Sequence, residues 1–149
     1  MLRRISTTSF SLLAVLFFFS NCTKDAVVND TDDIVGTWAV TDIRSDMAYD
    51  WNGDGRTETD IYGSYSFCQR DIVLVFDYNG YGQSRQGCNA SWRSMSWQLT
   101  NNNRTLNIGL SGDDLNLDLT QFTSNTIRGE DRVYVDGRNF IVTYTLSRR

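Results

Sequence analysis

Residues 115–120 read Leu-Asn-Leu-Asp-Leu-Thr, and residues 139–146 read Asn-Phe-Ile-Val-Thr-Tyr-Thr-Leu. Both segments place an apolar side chain at every second position, which is the spacing at which side chains of a β-strand point to the same face. A surface helix would instead need apolar residues three or four positions apart. The two segments therefore predict strands with one face turned toward a core.

The same alternation recurs in other segments, and turn-forming residues separate them. Residues 95–99 and 106–110 alternate in this way, and Ile72–Phe76 is apolar on both faces, as in a strand buried on both sides. Asn79-Gly80 and Asp136-Gly137 are typical of tight hairpin turns. We expect an all-β domain, a small antiparallel up-and-down β-barrel of roughly eight strands, because closure removes exposed sheet edges. The side chains expected inside it are Trp38, Val40, Leu74, Phe76, Met95, Trp97, Leu106, Ile108, Leu117, Leu119, Val133, Val142 and Tyr144.

The composition excludes several classes of function. The chain has 149 residues, 40% of them hydrophobic and 21% charged, as in a single globular domain. It contains no histidine, which excludes Ser-His-Asp and Cys-His catalysis and histidine-ligated zinc. The acidic residues cluster in turns, so we do not expect an enzyme. The formal net charge of −4 argues against a nucleic-acid partner.

The first residues have the pattern of an export signal. Arg3 and Arg4 precede the apolar run Phe10–Phe19, which is too short to span a bilayer. The run ends at Ser20-Asn21-Cys22, which resembles the lipobox of bacterial lipoproteins, where the cysteine carries the lipid. The alternative is ordinary signal cleavage nearby, with Cys22 as a spare thiol.

This pattern divides the chain into three parts. Residues 1–21 are the expected lipoprotein signal peptide, residues 22–33 an acidic flexible tether, and residues 34–149 the β-barrel domain. Lipid on Cys22 would anchor the protein to a membrane. We therefore expect it in the cell envelope, anchored to the outer membrane and either periplasmic or surface-exposed.

The opening strand carries a family feature. Gly36-Thr37-Trp38 resembles the Gly-x-Trp motif of lipocalins, in which the tryptophan closes one end of an eight-stranded barrel. With the signal sequence, an Asp-x-Asn-Gly-Asp-Gly loop and a cysteine pair, the chain resembles the lipocalin-like lipoproteins of Bacteroidetes. The resemblance implies a lipocalin-like fold over most of the mature chain, with a long loop across the open mouth.

Cys68 and Cys88 remain after the lipid is assigned. In an exported protein an even pair of cysteines predicts a disulfide, which would fasten the hairpin around Ile72–Phe76 to its flanking segments. For a loop of about 20 residues the expected stabilisation is ~3 kcal/mol. Free thiols and a redox pair are the alternatives, although the spacing is not Cys-x-x-Cys.

The segment Asp50–Asp60 has the pattern of a calcium-binding turn. Oxygen-bearing side chains stand at its first, third and fifth positions, and Gly55 follows at the sixth. Ile61 replaces the glutamate that an EF-hand needs at its end. The expected ligands are Asp50, Asn52 and Asp54, the backbone carbonyl of Arg56, and Glu58 or Asp60. The alternative is a solvated acidic loop held by Asx-turns without a metal.

Two functions remain open for such a barrel. An eight-stranded barrel is wide enough for one small ligand, which points to a carrier of a small apolar molecule or to another envelope binding module. The expected ligand-binding residues, in the interior or at the mouth, are Trp38, Trp51, Tyr62, Trp97 and Tyr144. Alternatively, the side chains fill the interior, and the protein is a surface interaction or structural module. For each aromatic side chain of the long loop, the alternative is that it only packs this loop against the rim of the barrel.

Overall fold

The computed structural model describes residues 33–112 and 114–149. The predicted signal peptide, Cys22 and the tether up to residue 32 lie outside the described residues. The elements are β1 (Gly36–Tyr49), β2 (Glu58–Asp60), α1 (Ile61–Ser64), β3 (Ile72–Phe76), β4 (Tyr81–Gln86), β5 (Arg93–Thr100), β6 (Thr105–Gly109), β7 (Asp114–Phe122), β8 (Thr126–Val135) and β9 (Arg138–Arg148). Within the described ranges, no helix is long and apolar enough to cross a membrane.

Eight of the strands form a closed antiparallel barrel. From β3 to β9 each strand pairs with the next, and β1 pairs with β3 on one side and with β9 on the other. The β1–β9 pairing runs from Trp38↔Arg148 to Ser45↔Val142 and closes the sheet. The short β2 pairs with the second half of β1. The prediction of a small up-and-down β-barrel is thus confirmed.

The predicted turns also have the expected backbone. Asp136 and Gly137 have φ angles of 48° and 78°, and the flanking residues Val135 and Arg138 pair directly. Such a two-residue turn needs positive φ at both positions, which aspartate and glycine tolerate. Asn79, with a φ of 75°, lies in the link between β3 and β4.

The core lies inside the barrel. All the side chains predicted to point inward belong to the core cluster, with Leu119, Val133 and Tyr144 at its partly buried margin. Ile43, Phe140 and Leu146 are further buried members.

Trp38 closes one end of the barrel. Its side chain is 0% exposed, and its indole N–H donates a hydrogen bond to the carbonyl of Ile34 at 2.8 Å. The guanidinium of Arg148, from the last strand, lies over the indole ring at 4.4 Å from the centroid. A Cβ at Gly36 would lie 2.5 Å from Nη1 of Arg148, and Gly36 has a φ of +136°. The glycine of the Gly-x-Trp motif therefore makes room for the arginine that covers the tryptophan.

Arg148 also connects three segments at this end. Its Nη1 donates to the carbonyl of Val35 at 2.9 Å, its Nε donates to the carbonyl of Ser124 at 2.5 Å, and its Nη2 donates to the carbonyl of Asp33. Charge-assisted bonds of this kind are stronger than neutral ones. Through Arg148, the last strand holds the segment before β1 and the β7–β8 turn against Trp38.

Candidate functional site

The barrel contains a cavity of about 430 Å³. It lies beyond Val40 along β1, away from Trp38, and includes the beginning of β3 and the end of β4. The lining side chains are Val40, Ile43, Trp51, Ile61, Tyr65, Ile72, Leu74, Gln86, Ile108, Leu110, Asp114, Leu115, Asp131, Val133, Val142 and Tyr144. Small-molecule sites span ~300–1,000 Å³ and are mostly apolar with a few polar groups, and this cavity has both properties.

The connection between β1 and β3, residues 50–71, covers this end of the barrel. The ring of Trp51 packs edge-on against those of Tyr49 and Phe140, with 5.2 Å between the centroids in each pair. Ile61, the first residue of α1, is 4% exposed and lines the cavity together with Trp51 and Tyr65. The long connection thus forms one wall of the cavity.

Two polar groups of the cavity stand out: an indole N–H without a hydrogen-bond partner among the described residues, and a carboxylate with no basic side chain beside it in the cavity lining. The indole Nε1 of Trp51 is shielded from solvent and has no hydrogen-bond partner among the described residues. The carboxylate of Asp131 accepts a hydrogen bond from the backbone N–H of Arg132 at 2.8 Å. Burial nevertheless raises the pKa of Asp131 above its ordinary value, and the nearby charge of Asp118 acts in the same direction. Both groups are therefore available to a ligand.

A second recess, of about 450 Å³, adjoins the first and shares four wall residues with it, Ile72, Leu74, Gln86 and Leu110. It is lined by Arg85 and Arg93 instead of acidic side chains. Arg85 forms an ion pair with Asp71 at 2.8 Å. The two openings therefore differ in electrostatic character.

The five predicted ligand residues occupy different places. Trp51 and Tyr144 line the cavity. Trp38 lies under Arg148 at the closed end. Trp97 is 7% exposed, and its indole N–H donates to two backbone carbonyls near the β3–β4 link. Tyr62 packs on the rim, where its hydroxyl donates to a backbone carbonyl at 3.1 Å.

The acidic loop closes on itself through side-chain to backbone hydrogen bonds. The carboxylate of Asp50 accepts from the N–H groups of Asp54 at 3.0 Å and Gly55 at 2.9 Å. Asn52 Oδ1 accepts from Asp54 at 3.0 Å, and Asp54 accepts from the N–H of Arg56 at 2.8 Å. These Asx-type turns hold the loop by protein contacts, as the metal-free alternative requires.

The same loop also brings three carboxylates together. One oxygen each from Asp50, Asp54 and Glu58 lie within 4.8 Å of one another. Calcium–oxygen distances of ~2.3–2.6 Å allow two ligands of one ion to be up to about 5 Å apart, and each pair of these oxygens lies within that limit. Oε1 of Glu58 is shielded from solvent and has no partner in the described chain.

Asp60 has a different role from Glu58. Its Oδ1 accepts a hydrogen bond from the N–H of Gly63 at 2.8 Å and caps α1, while its Oδ2 lies 3.5 Å from Nη2 of Arg44. Of the two residues expected to complete a metal shell, Glu58 belongs to the carboxylate group and Asp60 stabilises the helix start.

Cys68 and Cys88 form a disulfide, with 4.8 Å between their Cα atoms. It links the segment before β3 to the segment after β4, next to the paired residues Ile72 and Gln86. Since Ile72 and Gln86 both line the cavity, the disulfide fixes the cavity rim on this side.

Sequence reasoning missed Asp131 and Gln86 as cavity residues. A signal for Asp131 was present, because Val133 was predicted to point inward and Asp131 has the same parity on β8. Gln86 carried no comparable signal, since β4 has few apolar residues whose alternation would set its inward face.

The fold and the cavity define this protein as an up-and-down β-barrel domain that fits a lipocalin-like fold, closed at one end and hollow toward the other. The chain belongs to the family DUF5004, a domain of unknown function, whose model matches residues 19–146. A search of the curated proteins finds no match to this chain.

Proposed function

We propose that this protein is a non-catalytic binding protein of the cell envelope, which holds a small, largely apolar ligand inside its barrel. The observation that carries the proposal is the cavity of about 430 Å³, whose walls are mainly aliphatic and aromatic. A core that served stability alone would be packed to the density of a protein interior, with few voids larger than a water molecule.

The experiment is a titration with N-phenyl-1-naphthylamine, a neutral apolar dye that fluoresces in apolar surroundings. We expect saturable binding of one dye per barrel. Val133→Phe enlarges a cavity-lining side chain and should weaken binding at least tenfold, because the added ring occupies the cavity. Ile141→Phe is the matched control, since Ile141 is an exposed residue of the next strand. Non-saturable binding, or equal binding by the Val133 variant, would contradict the proposal.

The alternative, a surface interaction module that binds no small molecule, is supported by a different observation. Several large apolar side chains are exposed, with Phe67 at 85% and Tyr81 and Tyr134 at 69% each. Phe67 lies next to the disulfide at the cavity end. A photo-crosslinking amino acid at position 67 should join a partner protein in intact cells under this alternative, and the dye should not bind.

We further propose that the protein is anchored through lipid on Cys22 to the outer membrane. The signal pattern supports this, and the family match begins at residue 19 and so includes Cys22. Radiolabelled palmitate should label the wild type but not Cys22→Ser, with Cys68→Ser as the control for cysteine loss. Protease treatment of intact cells then distinguishes a surface-exposed domain, which is degraded, from a periplasmic one, which is protected.

We propose that the acidic loop binds a structural calcium ion through Asp50, Asp54 and Glu58. The converging oxygens and the unpartnered Oε1 of Glu58 support this site. Asn52 and the carbonyl of Arg56 stand at positions where this type of loop supplies further oxygens. When bound, the ion offsets the repulsion among the carboxylates and stiffens the connection that covers the cavity.

The test compares melting temperatures in calcium and in chelator. At a concentration tenfold above the dissociation constant, the expected shift is about 5 °C for a domain of this size. Asp54→Ala should abolish the shift. Asp77→Ala should keep it, because Asp77 is an exposed acid whose side chain makes no capping hydrogen bond. An unchanged wild-type melting temperature would contradict the calcium site and leave the ligand cavity untouched.

A further inference from the structure

The inward face of β8 carries a carboxylate within an apolar series. Every second residue of β8 points to this face, namely Ile127, Gly129, Asp131 and Val133. Asp131 lies beside the buried Val142 of the neighbouring strand β9. Asp131 therefore projects into the cavity that its neighbours line. A carboxylate in such a place is costly unless it meets a counter-charge, because the ionised form loses hydration.

Among the described residues, this carboxylate has hydrogen-bond donors but no basic side chain in the cavity lining. Its donors are backbone N–H groups, those of Arg132 and Asn116. Of the described residues that line the cavity, none is basic, and Asp114 adds a second carboxylate at the rim. The guanidinium of Arg93 lies in the neighbouring recess, on a strand separated from β8 by β6 and β7.

The remaining walls suit a cation attached to an apolar body. The rings of Trp51, Tyr65 and Tyr144 line the cavity, and aromatic faces attract organic cations. The other lining groups are largely aliphatic and would contact a hydrocarbon or aromatic skeleton.

We propose that the ligand is a small apolar molecule with a protonated amine, which forms an ion pair with Asp131 inside the barrel. This inference rests on the proposed function, since it requires that the cavity binds a ligand. A neutral apolar ligand would remove the remaining water from the carboxylate without replacing it, whereas an ammonium group supplies the missing counter-charge. An anionic ligand would meet two carboxylates of the same sign.

The test uses three probes with one hydrocarbon tail: octylamine, octanol and octanoate, titrated at pH 7 by calorimetry. We expect octylammonium to bind at least tenfold more tightly than octanol, and octanoate to bind most weakly. Asp131→Asn should remove this preference by weakening octylammonium binding at least tenfold without weakening octanol. Glu130→Gln is the matched control, because it removes the same charge from the adjacent position on the opposite face of β8.

The outcomes separate the two proposals. If the wild type binds octanol as tightly as octylammonium, the amine preference is wrong and the apolar carrier stands. If none of the three probes and no naphthylamine dye bind, both proposals are wrong. The head-group comparison on the wild type needs no variant, so it decides the matter even if Asp131→Asn folds poorly.

Discussion

Replacement of Arg148 by alanine should destabilise the barrel more than any other change of a single surface-accessible charge at this end. The guanidinium donates to the carbonyls of Val35, Ser124 and Asp33 and covers the ring of Trp38 at 4.4 Å. Hydrogen bonds to charged groups contribute about 1.5–3 kcal/mol each when deleted singly. A cation–π contact of this kind contributes ~0.5–2 kcal/mol.

These contributions are not additive, because the bonds share one side chain and water replaces part of each. Because of this discount, the expected net loss in the free energy of unfolding is about 3 kcal/mol, which corresponds to roughly 10–15 °C in melting temperature for a domain of this size. Urea unfolding followed by tryptophan fluorescence measures it. Arg148→Lys should fall between wild type and alanine, because lysine keeps the charge but cannot reach several carbonyls at once.

Arg149→Ala is the matched control. Arg149 lies one residue further and forms an exposed ion pair with Asp71 at 3.4 Å, and such pairs contribute ~0–1 kcal/mol. Two results would show that Arg148 does not stabilise the closed end as described. One is a free energy of unfolding for Arg148→Ala within about 0.5 kcal/mol of the wild-type value, and the other is an equal loss for Arg149→Ala.

Three further predictions concern stability. Gly36→Ala should lower the melting temperature, because the new methyl group meets Arg148 and the φ of +136° is strained for alanine. Gly53→Ala is the control, because its φ is also positive but a Cβ there has no neighbour within 4 Å. The double variant Cys68→Ser/Cys88→Ser should have a free energy of unfolding in urea ~3 kcal/mol lower than the oxidised wild type. This difference should vanish when the wild type is reduced, and a difference that persists would refute the role of the disulfide. Asp131→Asn should raise the melting temperature at pH 7. Since burial raises the folded-state pKa of Asp131 above its ordinary value, the wild type loses stability as the pH rises from that ordinary value through the raised one. The gain from asparagine should therefore shrink as the pH falls toward the ordinary value, and a gain that grows on acidification would contradict the assignment.

The fold was predictable because its signal is local. Which face of a strand a side chain occupies follows from parity, and the alternation at Leu115–Leu119 and Phe140–Leu146 is visible in the sequence. The Gly-x-Trp motif was equally informative, although the arginine that completes it lies more than 100 residues away and has no local mark.

The candidate site was predictable only in part. The aromatic residues expected in the interior or at the mouth belong to the core cluster or pack against it, but aromatic character does not tell which end of the barrel a ring occupies. Trp38 and Trp97 lie deep in the core, whereas Trp51 and Tyr144 border the cavity. That distinction depends on the lengths of the strands and on their stagger around the barrel, and neither can be deduced from the alternation of side chains along one strand.

By itself the sequence determined the strands, their turns and the identity of most core residues, because alternation and turn chemistry act between near neighbours. Only the tertiary structure decided where the interior stays hollow. In β1 the pairing register shifts between Val40 and Asp42, so that Ile43 and Ser45 face inward where strict alternation would have placed Asp42 and Arg44. The closure of β1 on β9 and the disulfide then set which side chains meet across the cavity, because residues distant in the chain become neighbours only when the barrel closes.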